Sequence, residues 1–405
     1  MFTPSAARVS VVGVGADGWA GVPGRLRETV LSAEVLLGGR RHLALVPDVP
    51  GQLRQSWPSP LREGLPALLR EHAGRRVVAL ASGDPLVSGI GATLVEVLGA
   101  AAVEIEPAVS SVALARARMG WPAETVEVVS LVGRDPAHVL RTLAPGRRLL
   151  VLSSDEHTPA AVAGLLREQG YGRSRMTVLG DLGSSAESRV DGSAGTWSSD
   201  APPLNVVALG LEGPLVGAAA GGLPDTCFEH DGQLTKRDAR LSALARLAPQ
   251  PGQVLWDVGA GAGSVGIEWA RAHPTCRALA VEADVERAAR IRRNATSLGV
   301  PTLQVVHGQA PEALASLPAP DAVFVGGGAT GPGTVDTCLR ALGPGGRLVV
   351  HGVTLETETV LARCYAEHGG ELTRLSVQHA EPLGGFTGWS PARAVTQWSL
   401  VREPG

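Results

Sequence analysis

Lysine is almost absent from this chain: Lys236 is the only one in 405 residues, against 35 arginines. A phosphate-binding P-loop needs Gly-x-x-x-x-Gly-Lys-Ser/Thr, and Lys236 lies in Leu234-Thr235-Lys236-Arg237 instead, which excludes that nucleotide-hydrolysing class. A kinase, which needs a strand lysine in a different setting, goes with it. No Gly-x-Ser-x-Gly elbow occurs, so an α/β-hydrolase is not expected. The four cysteines (Cys227, Cys276, Cys338, Cys364) form no Cys-x-x-Cys pair, and the ten histidines no His-Glu-x-x-His. That argues against a disulfide framework, points to reduced thiols in a cytoplasm, and leaves no metal expected. Aromatics are scarce at 3%, and the formal charge is only −3. A basic, aromatic-rich stripe is therefore missing, and no nucleic-acid partner is expected. No apolar run approaches a membrane span, and Met1-Phe2-Thr3-Pro4-Ser5 lacks the layout of a signal peptide.

What is present is an ordinary globular balance, 44% apolar and 19% charged, in a chain long enough for two or three domains. Short β-branched runs alternate with Ala/Leu/Arg-rich stretches, the pattern of α/β architecture. In the first half, strands are expected at 9–14, 77–81, 103–105, 126–131, 149–152, 176–179 and 205–209. Amphipathic stretches lie at 61–72, 137–143 and 159–169. In the second half, strands are expected at 254–258, 277–281, 303–306, 322–325, 347–351, 372–378 and 394–401, the last two joined by a loop through 381–391 without a helix. Five βα units ending in an antiparallel pair predict a Rossmann-like, seven-stranded, mostly parallel sheet. The small, turn-rich segment around Gly213–Pro224 reads as the boundary, giving domains 1–214 and 225–405 with a linker at 215–224.

The strongest local signal is Asp257-Val-Gly259-Ala260-Gly261-Ala262-Gly263-Ser264, a strand running through a glycine turn into a helix. Glycines let the backbone turn sharply and approach a ligand. Ser264 stands where a dinucleotide fingerprint has its last glycine, and an acid at Asp257 suits a ligand carrying an ammonium group. Glu282, 23 residues after Gly259, can accept both hydroxyls of a ribose. Gln309 and Ala310, one strand later, lie where an adenine would be clamped. Together these favour S-adenosylmethionine over NAD. Gly326-Gly327-Gly328 replaces the Asn/Asp-Pro-Pro-aromatic cluster common in methyltransferases that act on amino nitrogens. It leaves room for a bulky ligand or a carboxylate held by backbone N–H groups. Upstream, Thr235 can cap a helix starting at Lys236, with Asp238 completing a box, while Lys236 and Arg237 are candidate contacts for an anionic substrate.

Three loops of the first half make sense together: Gly13-Val-Gly15-Ala16-Asp17, Ser82-Gly83-Asp84-Pro85-Leu86-Val87, and Pro107-Ala-Val-Ser110-Ser111. These residues resemble the tetrapyrrole (corrin and sirohaem) methyltransferase family, in which such loops surround S-adenosylmethionine between two α/β subdomains. The resemblance implies that Gly15, Ala16, Ser82, Gly83, Asp84, Val87, Ser110 and Ser111 line a cofactor site. Arg134, a candidate contact for substrate carboxylates, falls in a segment like the family's His-Gly-Arg, with Val132 in place of the histidine; Ala16 stands where a proline is usual.

A methylase lobe of this kind followed by an open-sheet methyltransferase resembles the fused enzymes of cobalamin biosynthesis. By that resemblance, the first half methylates carbon 5 of a precorrin. The second methylates carbon 15 and removes carbon dioxide from the ring C acetate. One S-adenosylmethionine site per domain and a homo-oligomer are implied as well. Rival readings stay open at this point: a methyltransferase acting at a single, different tetrapyrrole carbon, and a two-domain NAD-dependent oxidoreductase.

Overall fold

Apolar runs of four to six residues, most of them closed by a glycine or serine, make the buried inner strands, and the helices between them cover the sheet faces. The computed structural model describes residues 9–215 and 221–403. Met1–Ser5 and residues 216–220 of the expected linker lie outside the described residues. The chain divides into two compact units, one of Met1–Pro136 with Gly146–Gly213, the other of Ala137–Pro145 with Pro214–Gly405.

The first unit holds two five-stranded sheets. Strands β1 (Val9–Val14), β2 (Val35–Gly38), β3 (Leu53–Ser56), β4 (Val77–Ser82) and β5 (Val103–Glu106) pair in parallel in the order β3-β2-β4-β1-β5. Strands β6 (Glu127–Ser130), β7 (Arg148–Leu152), β8 (Arg175–Gly180), β9 (Ser188–Ser193) and β10 (Asn205–Gly210) form a mixed sheet in the order β6-β7-β10-β8-β9. Sequence reading finds β1, β4–β8 and β10 but misses β2, β3 and β9. The four residues of β2 are too few to register a period, and β3 and β9 are sheet edges with polar residues where an inner strand would be apolar. The expected amphipathic stretch at 137–143 is a run of 3-10 turns, Pro136–Thr142.

The second unit matches the seven-strand expectation. Strands β11 (Val254–Val258), β12 (Arg277–Glu282), β13 (Gln304–His307), β14 (Ala322–Val325), β15 (Arg347–Gly352) and β16 (Glu371–Leu375) come first along the chain. A two-stranded ribbon follows, β17 (Gln378–Leu383) and β18 (Phe386–Pro391), and then β19 (Val395–Val401). The sheet order is β13-β12-β11-β14-β15-β19-β16, with β19 antiparallel to both neighbours. The ribbon corrects the expected loop at 381–391. Its six-residue strands pair with each other around Gly384-Gly385 and bury almost nothing, so no hydrophobic alternation announces them.

An ion pair sealed inside the second unit fixes how the chain enters the sheet. Arg240, fully buried, donates from Nε to Oε1 of Glu268 at 2.6 Å and from Nη1 to Asp225 at 3.1 Å and the Thr235 carbonyl. The Glu268 carboxylate also accepts the amides of Gly222 and Leu223. Removing one partner of such a pair leaves a buried charge without compensation. Glu268→Ala should therefore lower the stability of this unit by about 3–5 kcal/mol in urea unfolding, whereas a double Arg240→Met/Glu268→Leu variant should lose much less.

Candidate functional site

In a parallel sheet the loops after successive strands collect at one edge, and the ligand crevice forms where the strand order reverses. Both units use this edge. In the first, the loops after β1, β4 and β5 meet main chain to main chain. A Cβ on Gly13 would lie 2.0 Å from the Gly83 carbonyl oxygen and 2.6 Å from the Ala108 nitrogen. Gly83 in turn donates its N–H to Val14 and accepts from Ala108. Above this contact lies a cavity of about 430 Å³, whose wall holds Gly15, Ala16, Ser82, Gly83, Asp84, Val87, Ser110 and Ser111. The structure thus brings all eight residues expected from the first half together.

The side chains there have local duties as well. Asp84 Oδ1 accepts the Leu86 amide at 2.8 Å and shapes the turn, and Ser110 Oγ caps the helix Ser111–Met119 through the Ala113 amide at 3.1 Å. Val132 lines the cavity, but Arg134 is exposed outside its wall. The wall residues missed by sequence reading include Arg41 and His42. Burial first, then the Arg41 charge, pushes the His42 imidazole down to about 4. They follow β2, the strand that sequence reading also missed.

In the second unit the reversal falls between β11 and β14. Gly259, at φ +65°, faces the triple-glycine loop so closely that a Cβ would stand 2.6–2.7 Å from the backbone of Gly327. Gly261 is equally constrained against the Gln233 carbonyl, at 2.8 Å. A cavity of about 1450 Å³ opens there. Its wall includes Thr235, Lys236, Arg237, Gly259, Ala260, Gly261, Glu282, Gln309, Ala310, Gly326 and Gly327. Glu282 Oε2 accepts the Gly261 amide at 2.8 Å and Oε1 the Asp284 amide at 3.0 Å, which fixes the buried carboxylate in the wall.

Three expected residues sit behind this wall rather than in it. Asp257 is buried, with Oδ2 accepting the Gly266 amide at 2.8 Å, so it braces the glycine turn against its helix. Ala262 is buried, its carbonyl held by Asn294 Nδ2 at 3.0 Å. Gly263 starts the helix Ser264–Ala272 and packs on Ile291. The expected cap at Thr235 is also corrected: the helix starts at Arg237, Lys236 precedes it without a side-chain cap bond, and the Thr235 carbonyl is taken by Arg240. Lys236 leans toward Asp225 at 3.7 Å and stays largely exposed.

Sequence reading missed Asn294, which ties the glycine turn to Glu229, and His351, at the end of β15. The Gln397 amide satisfies its neighbours when its oxygen accepts from Arg246 and its nitrogen donates to His351 Nε2 at 2.9 Å. Burial holds His351 near 4, so it is neutral, with its proton on Nδ1. Neither residue belongs to a motif; only the tertiary contacts reveal them.

Two family models match the chain. Residues 8–197 match the tetrapyrrole (corrin/porphyrin) methylases, and residues 226–402 match the precorrin methyltransferase domain. The class is therefore an S-adenosylmethionine-dependent methyltransferase built from two methylase domains. A precorrin-6Y C(5,15)-methyltransferase (decarboxylating) from a Sinorhizobium species is 44% identical over 97% of this chain and 96% of its own length. A protein of the same description from Mycobacterium tuberculosis is 44% identical over 98% of this chain and all of its own. Among solved structures, the C-terminal domain of precorrin-6Y C5,15-methyltransferase from Rhodobacter capsulatus is 44% identical, covers 46% of this chain and 100% of that one, and has a TM-score of 0.44. The chain belongs to the precorrin-6Y C(5,15)-methyltransferase (decarboxylating) family.

The electrostatics behind the second wall are testable. Burial, reinforced by Glu282 and opposed by the Gly266 N–H, pushes the Asp257 carboxyl up to about 7. From the ordinary carboxylate range up to that value, the native state keeps a proton the unfolded chain has lost, so this residue makes stability fall as pH rises. Asp257→Asn keeps an acceptor for Gly266 and removes the titration. It should leave unfolding below about pH 4 nearly unchanged and, at pH 8, stabilise the second unit by on the order of a few kcal/mol, measured by denaturation across pH.

Proposed function

We propose that this chain acts in cobalamin biosynthesis, methylating a precorrin at carbons 5 and 15 and removing the ring C acetate carboxyl as carbon dioxide. In this reading residues 1–214 act at carbon 5, and residues 225–405 act at carbon 15 and decarboxylate. The observation that carries it is the pair of glycine-cradled cavities, each at the C-terminal edge of its own parallel sheet, in a chain related end to end to enzymes of that description.

The residues fit S-adenosylmethionine in both places. In the first unit the loops of Gly13 and Gly83 meet without a Cβ between them beside a cavity within the usual ligand range. In the second, Gly259 and Gly261 clear the backbone, and Glu282 supplies acceptor oxygens in the wall for ribose hydroxyls. Gln309 and Ala310 form the adenine end, and the larger volume has room for a macrocycle beside the cofactor. When bound, S-adenosylmethionine supplies an electrophilic methyl group on a sulfonium.

The chain's own residues then have mainly a positioning task. A ring carbon of a reduced tetrapyrrole is already nucleophilic, and holding it in line at contact distance lowers the barrier by on the order of 7–11 kcal/mol. Lys236 and Arg237 at the mouth of the second cavity hold the substrate's peripheral carboxylates, and the loop Gly326–Gly328 gives the reacting acetate a niche without a countercharge. In that niche the bond from the acetate to its carboxyl breaks. The electron pair passes into the conjugated ring, and carbon dioxide leaves. An arginine on that carboxylate would stabilise the ground state and slow the loss. The same reading takes the protein as a cytoplasmic homo-oligomer with no nucleic-acid partner. All four cysteines are free thiols, and no helix among the described residues is long and apolar enough to cross a membrane.

Mass spectrometry of the purified protein, incubated with S-adenosylmethionine and the reduced precorrin, should find two added methyl groups and the loss of one carbon dioxide. A product with a single methyl group, or NADH-dependent reduction instead, would replace this reading. Gly327→Leu places a side chain into the niche, where Gly259 leaves it 3.6 Å of clearance at Cβ. It should abolish carbon-15 methylation and decarboxylation while leaving S-adenosylhomocysteine affinity within about twofold.

A further inference from the structure

A precorrin carries several side-chain carboxylates, and S-adenosylmethionine carries one of its own. Arg134, expected to meet such a group in the first unit, lies outside the cavity wall. We infer that Arg41, supported through Ser82 by His42, forms a carboxylate-binding subsite in the wall of the first cavity, resting on the function proposed above.

The sheet order brings these residues together. Strand β2 lies beside β4, so the short helix Arg40–Leu45 that follows β2 emerges next to Ser82, the last residue of β4. Arg41 Nη2 lies 3.5 Å from Ser82 Oγ, and Ser82 Oγ lies 3.0 Å from His42 Nε2. The hydrogen directions follow from the chemistry. A guanidinium can only donate, so Ser82 Oγ accepts from Arg41 and donates its own proton to His42 Nε2. The imidazole is neutral under ordinary conditions because burial and the Arg41 charge both disfavour its cationic form. The relay therefore holds the arginine without adding a second charge.

Among the described residues lining this cavity, Arg41 carries the one permanent positive charge. Its hydrogen-bond partner is a neutral hydroxyl, and no carboxylate among the described residues forms an ion pair with it. The wall has two acids: Asp84, with one oxygen on the Leu86 amide, and Asp181, which follows β8 in the other sheet. The rest of the lining is largely apolar and small, including Val14, Leu80, Val87 and Leu152. An uncompensated guanidinium against such a wall favours an anion, and its remaining N–H groups match the two oxygens of a carboxylate. The same chemistry would serve a side-chain carboxylate of the macrocycle or the amino-acid carboxylate of the cofactor.

The test uses the full chain and its Arg41→Gln and Arg41→Lys variants, with the carbon-5 and carbon-15 steps resolved by product mass. Arg41→Gln should raise the Michaelis constant of the carbon-5 step about tenfold or more and flatten its salt dependence. Arg41→Lys should recover part of the loss, and carbon-15 methylation with decarboxylation should proceed as before. A rise confined to the precorrin constant assigns the subsite to the macrocycle, and a rise confined to the S-adenosylmethionine constant assigns it to the cofactor. With the unaltered chain active, unchanged carbon-5 kinetics in Arg41→Gln would overturn the subsite alone. Absence of methyl transfer by the unaltered chain would overturn the functional reading and the subsite with it.

Discussion

Two main chains touching with no side chain between them are the constraint on which both cavities depend. Gly13 against Gly83 and Ala108 in the first unit, and Gly259 against Gly327 in the second, leave less than 3 Å where a Cβ would go. Such contacts arise naturally where parallel strands end side by side and their loops compete for one edge. Glycine resolves the competition at an entropic cost, and the result is a floor of backbone on which a ligand can lie closely. At Gly259 the positive φ adds a second reason, since the turn itself would strain any larger residue.

Charge is then distributed by depth. Deep in the second unit, Arg240 and Glu268 each meet several partners, and so they anchor the segment that carries Thr235 to the wall. Asp257, equally deep but facing a single amide, is held largely protonated toward neutral pH. Glu282, also buried but in the cavity wall, has its two oxygens held by the Gly261 and Asp284 amides. In the first unit His42 is half-buried and neutral, while Arg41 beside it is exposed in the cavity wall.

Much of this was legible in the residues themselves. The strands that pack on both faces, such as β1, β11 and β14, were readable to the residue because burial on both sides leaves a nearly continuous apolar run. The glycine loops were readable because their spacing carries a steric requirement. The polar, exposed strands were not, since β3, β9 and the β17–β18 ribbon expose the faces that would otherwise show a pattern. The roles within the site divided in the same way. Position along a loop indicated Gly261 and Glu282 as wall residues, but not that Asp257, two residues before the first glycine, would turn inward to Gly266. Arg41 and His351 depend on which strands become neighbours, a long-range outcome that no local spacing encodes.

The central claim is that one chain holds two independent cradles for the same cofactor. Isothermal titration of the full chain with S-adenosylhomocysteine tests it most directly. The account predicts two molecules bound per chain, falling to one when Gly259 is replaced by valine and the first unit is left intact. A single site in the unaltered chain, or none, would contradict it.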